Sequence, residues 1–218
     1  MKQVIIAVLV VVGIIVGASL IGGKDDLAVV GATSNNWYGQ EKGIITVTEY
    51  ADFQCPACGS FFPIVAQVKG QFKDKVRFEF KHFPLVQLHP NATSAHRAAQ
   101  AAANQQKFWE MHDLIYQNQE AWENSSIPSD VFEQYARQID LDIEKYKTDV
   151  ASSEVLAVIN ADVSAGKQLN VNSTPTFFVD GKLIEDANSI ASVEGFSSVI
   201  QAAIDAKQGT TTNTAPTN

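Results

Sequence analysis

The feature that most constrains this chain is Cys55-Pro56-Ala57-Cys58, which holds the only two cysteines among 218 residues. The stretch before it, IITVTEY at residues 44 to 50, is β-branched and aromatic. It reads as a strand that enters the motif through Ala51-Asp52-Phe53-Gln54. From Cys55 onward the pattern turns helical. With Cys55 as N-cap, Pro56 falls at the first helical position, where its missing N–H costs nothing and its fixed φ suits the helix. Positions i and i+3 share a helix face, so Cys58 returns beside Cys55 at a separation that a disulfide can span.

The first sulfur then sits at the positive end of the helix dipole among unpaired backbone N–H groups, and both favour thiolate over thiol. Its pKa is expected to fall from about 8.5 to between roughly 4 and 7. Cys55 becomes the attacking sulfur, and Cys58, one turn inward, the resolving one. A stabilised thiolate also favours the reduced pair, so the disulfide form becomes the better oxidant. Two other uses of the motif stay open. A structural zinc site normally takes four ligands, whereas the chain has no second cysteine pair and no finger-like pairing among His82, His89, His96 and His112. A structural disulfide would close too short a loop to remove much chain entropy.

Two more positions bear on this chemistry. Glu49 lies six residues before Cys55 at the end of an apolar strand. It is either a carboxylate beneath the helix that exchanges protons with Cys58, or an ordinary surface residue. Thr174-Pro175 precedes a second strand, and a proline at a strand entry can be cis. If that loop faces the cysteines, the Thr174 backbone can pair with an extended peptide by strand addition.

Around these positions the chain reads as an α/β domain. Residues 76 to 80, VRFEF, form a second strand candidate, which with the intervening helix gives a parallel βαβ unit. Residues of about 86 to 170 carry apolar spacings of three and four and read as an all-helical insertion, with Asn91 and Ser129 or Asp130 as N-caps. TFFV at 176 to 179, Asp180-Gly181 and Lys182-Leu183-Ile184 make a two-residue hairpin. An amphipathic helix from about Phe196 to Ala206 closes a domain assigned to residues 41 to 207.

The ends differ from the middle. Residues 4 to 22 carry no charge, and ~20 such residues cross a bilayer core. Residues 1 to 23 are therefore expected to be a transmembrane anchor or a signal segment, cleaved or retained, with a cytoplasmic N-terminus and an extracytoplasmic domain. Residues 24 to 40 read as a linker and residues 208 to 218, QGTTTNTAPTN, as a disordered tail. The formal charge of −8, with Lys and Arg scattered, argues against nucleic acid as a partner.

The runs EYADFQCPACGSFFP, KHFPL, KFWEMHDLIY and VNSTPTFFVDGK together resemble the DsbA-like thiol:disulfide oxidoreductases, in their membrane-anchored form. The resemblance spans about Ile44 to Lys207 and implies a thioredoxin-like fold with an all-helical insertion. It implies Cys55 and Cys58 as the catalytic pair, Glu49 as the buried acid, and a cis bond at Pro175 in a substrate-binding loop with Thr174. It further implies a quinone-linked membrane reoxidase as partner; the exchange chemistry itself is expected to act on thiol-containing exported proteins and to need no metal or organic cofactor. One departure stands out: the best-known oxidants of this family carry Pro-His between the cysteines, and this chain carries Pro56-Ala57. Ala57 offers the sulfur no donor, so a milder potential is expected. A reductase or isomerase of the same fold, or a membrane-anchored binding module with a structural disulfide, are the rival readings.

Overall fold

A computed structural model describes residues 32–212, so the uncharged run at residues 4 to 22 and the last six residues lie outside the described part. Among the described residues, no helix is long and apolar enough to cross a membrane. The described chain begins with β1 (Asn36–Gly39), β2 (Ile45–Ala51), α1 (Pro56–Phe72) and β3 (Val76–His82). Six helices follow: α2 (Ala92–Ala103), α3 (Phe108–Gln117), α4 (Gln119–Trp122), α5 (Pro128–Gln138), α6 (Ile143–Ala151) and α7 (Ser153–Gln168). The chain then returns through β4 (Thr176–Val179), β5 (Lys182–Leu183), a short 3₁₀ turn (Ala187–Ile190) and α8 (Val193–Thr212).

The five strands form one sheet in the order β1-β3-β2-β4-β5, with β2 and β3 parallel and the other pairs antiparallel. The β2-α1-β3 unit is the expected crossover. β2 lies centrally, and Glu49 stands opposite Phe80 on one neighbour and Phe177 on the other. Ile45, Val47, Phe78 and Phe177 pack under Val65 and Val68 of α1 and Phe196, Ile200 and Ile204 of α8. A second core joins the cysteine turn to the insertion, where Phe53 and Phe80 stack among Phe108, Met111 and Ile115. The βαβ core and the helical block thus meet at the cysteines.

The hairpin forms as expected, with Asp180 and Gly181 both at positive φ, 48° and 78°. That pair of conformations gives the turn whose twist matches its strands. Three sequence readings are corrected. The linker assigned to residues 24 to 40 ends earlier, because Asn36–Gly39 pair with the outer edge of β3 and close it. Asn-Trp-Tyr-Gly carries little strand pattern of its own; the unpaired edge of β3 supplies the partner. Gly39 sits at φ +90°, where a Cβ would lie 2.5 Å from the Val76 carbonyl. The tail assigned from residue 208 is likewise helical as far as Thr212. Once Phe196, Ile200 and Ile204 dock the helix, each further residue adds a hydrogen bond without a new nucleation cost. Finally, α5 begins at Pro128 with Ile127 in the cap position, and neither Ser129 nor Asp130 caps it. Asn91 does precede α2, but its side chain donates to the carbonyls of Trp122, Glu123 and Ser125.

Candidate active site

The cysteine turn is built by a strand that stops and a helix that starts. Cys55 is the N-cap of α1, with extended backbone at φ −68° and ψ 123°, and Pro56 occupies the first turn. The Cys55 N–H donates to the Asp52 carbonyl, and the Cys55 carbonyl accepts the Gly59 N–H at 3.1 Å. Both cysteines are free thiols. Both are buried, Cys55 with 7% of its surface exposed and Cys58 with 1%, so the first is the less enclosed of the two. Pro56 and Ala57 between them are exposed.

The Thr174-Pro175 loop closes over this helix start. Its peptide bond is cis, and the Cys55 thiol donates to the Thr174 carbonyl at 3.4 Å. The two sulfurs are driven in opposite directions. A hydrogen bond from the Cys58 side chain does most to pull the Cys55 pKa from 9.0 down to about 5. Burial opposes this, while Thr174 and the amides of Cys58 and Ala57 reinforce it. The buried Thr174 hydroxyl has no partner at ordinary hydrogen-bond geometry. Toward an anionic sulfur it is a further donor. Burial pushes Cys58 well above the usual thiol range, and the neighbouring Cys55 and Glu49 push the same way.

Glu49 is buried. Burial raises its pKa from 4.5 to about 7, against the pull of the Lys69 ammonium. Lys69, itself buried on α1, lies 3.7 Å from the Trp109 ring centroid and 5.2 Å from that of Tyr38. Desolvation lowers its pKa to about 8. The acid that faces the resolving cysteine thus titrates near neutrality.

Beneath the turn, the buried Asp52 carboxylate accepts from the backbone N–H groups of Gln54 and Leu85 and lies 2.7 Å from His89 Nδ1. Burial alone would raise its pKa, but its interactions with His96 and His89 and the bond from the Leu85 N–H hold it at about 2. The Phe53 N–H lies 3.4 Å from His96 Nε2, and the Nδ1 of that ring lies 2.8 Å from Nδ1 of His82. His82 in turn reaches Gln100 at 3.0 Å. These rings therefore brace the loop that carries Cys55. Among the described residues no group of three or more His, Cys, Asp or Glu side chains is arranged to hold a metal ion.

Alongside the helix start runs an open groove of about 440 Å³, lined by Ala57, Phe61, Leu169, Pro175, Phe177 and Leu183 among others. A low-pKa thiol beneath the exposed Pro56-Ala57 rim, a more deeply buried partner thiol, an acid that titrates near pH 7 and an apolar groove together can perform thiol–disulfide exchange.

Residues 32–202 match the family model described as Thioredoxin. The chain belongs to the thioredoxin family. Within that family its fold is the one seen in DsbA-type thiol:disulfide oxidoreductases. The oxidised form of BdbD from Bacillus subtilis superposes with a TM-score of 0.69 at 21% identity, covering 82% of this chain and 98% of that one. Alpha-DsbA1 from Wolbachia pipientis gives 0.69 at 19% identity, covering 84% and 97%. A thioredoxin-like oxidoreductase from Silicibacter pomeroyi gives 0.61 at 27% identity, covering 79% and 91%. By sequence, the chain is 40% identical over 144 residues to Na(+)/H(+) antiporter NhaA 3 of Salinispora tropica, a match to 66% of this chain. That match takes up 21% of the antiporter, so this thioredoxin-family chain spans about a fifth of the curated relatives it matches.

Sequence reasoning placed Cys55, Cys58, Glu49, Thr174 and Pro175, and the fold brings all five together. It missed Lys69, Asp52, the bracing role of His82 and His96, and Gln119, whose carboxamide donates to the Phe53 and Cys55 carbonyls. Lys69 left a signal: Cys58, Phe62, Val65 and Lys69 fall at steps of four, three and four, so a charge sits on the buried stripe of α1. The others left none, because the partners that give them their roles, Leu85 and His89 for Asp52 and the cysteine turn for Gln119, are remote in sequence.

Proposed function

We propose that this protein is a dithiol oxidase that donates the Cys55–Cys58 disulfide to thiol-containing exported proteins. The reading is carried by the opposed ionisation of the two sulfurs, Cys55 drawn down to about 5 and Cys58 driven up. A substrate thiolate attacks Cys55 Sγ of the disulfide, the Cys55–Cys58 bond breaks, and a mixed disulfide forms while Cys58 leaves as a thiolate. Protonated Glu49 supplies the proton that Cys58 takes up. A second substrate thiolate attacks its partner sulfur in the mixed disulfide, and Cys55 leaves as the stabilised thiolate. Two electrons pass from the substrate dithiol to the enzyme.

Pro175, which lines the apolar groove, and Thr174 before it hold the client segment, and Pro56 and Ala57 form the exposed rim between the sulfurs. The uncharged run at residues 4 to 22 supports a single-pass anchor with the N-terminus in the cytoplasm and this domain outside it. A quinone-linked membrane reoxidase restores the disulfide.

Trapping tests the reading. Cys58→Ala expressed with the full chain should accumulate mixed disulfides at Cys55 that dissolve on reduction. Absence of any such adduct would remove the exchange chemistry. A potential at or below about −270 mV would reverse the direction to reduction.

A further inference from the structure

The insertion grips the cysteine turn by its carbonyl groups. The Tyr116 hydroxyl donates to the Asp52 carbonyl at 3.4 Å. Gln119, the first residue of α4, donates from one nitrogen to two carbonyls, that of Phe53 at 2.7 Å and that of Cys55 at 3.0 Å. Both hydrogens of a carboxamide nitrogen are thereby used, which a hydroxyl or a carboxylate cannot match. From the other side Gln54 Nε2 donates to the Glu123 carbonyl at 2.7 Å, and its Oε1 accepts the Asn91 N–H at 2.7 Å. The Cys55 carbonyl also accepts the first N–H of α1, from Gly59, so it is the point where insertion and helix hold the same atom.

Gly59 completes the arrangement. A Cβ built there would lie 2.4 Å from Gln119 Oε1 and 3.1 Å from its Cδ, so any other residue must push the carboxamide away. The glycine has no positive φ to explain it and lies inside a helix, where glycine is a poor choice. Room for Gln119 is the reason the geometry supplies.

We propose that Gln119 is a positioning residue for the exchange reaction: its carboxamide fixes the Phe53–Cys55 turn so that the amides of Ala57 and Cys58 converge on the Cys55 sulfur, and Gly59 exists to admit it. The inference rests on Cys55 being the exchanging thiol. It also gives the helical insertion a part in the chemistry, since the element that holds the thiolate's donors in place comes from outside the βαβ core.

The pH profile of Cys55 alkylation in the full-length protein is the test, because a side chain that only supported the fold would lower stability without moving the midpoint. Gln119→Leu should raise that midpoint by about half a pH unit, which cuts the alkylation rate below the midpoint by about threefold. Gly59→Ala should do the same with Gln119 still present. The double variant should match either single one, because each removes the same contact. An unchanged midpoint in Gly59→Ala, or shifts that add in the double variant, would overturn the proposal. If Gln119→Leu fails to fold, Gly59→Ala alone decides. Trapping on Cys58→Ala separates this from the reading it rests on: adducts with an unmoved midpoint sink only the role of Gln119, and missing adducts sink both.

Discussion

The Cys55 sulfur lies 3.4 Å from the Thr174 carbonyl, a contact between residues 119 positions apart, and the same threonine's hydroxyl is buried without a partner. An orphaned buried hydroxyl costs about 1–3 kcal/mol, so its presence beside an ionising sulfur marks a group held for one state of the cycle. Thr174→Val keeps the shape and removes the donor. Alkylation should show the wild-type Cys55 midpoint near pH 5, and the variant's midpoint higher by roughly half to one unit. Thermal unfolding of the oxidised form, which has no thiolate to receive the donor, should show the variant equally or more stable. A lower midpoint in Thr174→Val would contradict the assignment.

Glu49 titrates near neutrality because its carboxylate is desolvated, and this has a defined sign. A carboxyl raised from 4.5 to about 7 favours the folded state only while protonated. The folded state is therefore progressively penalised as pH rises from 4.5 to about 7, reaching about 3 kcal/mol above that window. Glu49→Gln should abolish this slope and be the more stable protein at pH 8, as read from denaturant midpoints. The same variant should slow formation of the Cys58 thiol in stopped-flow exchange by roughly 10²-fold at pH 7.

Ala57 leaves the exposed rim of the motif without a donor. Ala57→His, at an exposed position in the first turn of α1, places an imidazolium near the thiolate. Equilibration with glutathione should show a more oxidising potential, by roughly 30 mV for each tenfold gain in the reduced form's stability. An unchanged potential would mean that the amides and Thr174 already saturate the sulfur.

His112, buried among Phe53, Phe80, Trp109 and Tyr116, predicts an acid limit. Burial lowers its pKa from 6.5 to about 4, against the pull of Asp113. The unfolded chain then binds more protons than the folded one between those values, so stability is lost as pH falls from 6.5 to about 4, by about 3 kcal/mol. His112→Gln should flatten that part of the stability–pH curve.

Much of the site was legible because its residues are defined by their neighbours in the chain. Cys55, Pro56 and Cys58 encode a helix start, and Glu49 is tied to them by a fixed number of extended residues. The hairpin at Asp180-Gly181 was legible for the same reason. β1 was not: Asn36–Gly39 form a strand only because β3 presents an unpaired edge. The helical extension beyond residue 208 escaped notice because Phe196, Ile200 and Ile204 dock α8 further up. The histidines carried no motif, and their function as braces exists only where β3 and α2 set His82 against His96.

The sequence by itself determined the two thiols, the helix that begins at the first of them, and the order of strands and helices from β2 onward, since these follow from torsional preference and spacing along the chain. Only the tertiary structure decided what stands around the motif beyond those residues: Lys69 beside Glu49, and Gln119 and the Asp52 network at the cysteine turn. Charge and desolvation act through space over a few ångströms, and nothing in a linear order of residues fixes which distant side chains will share that space.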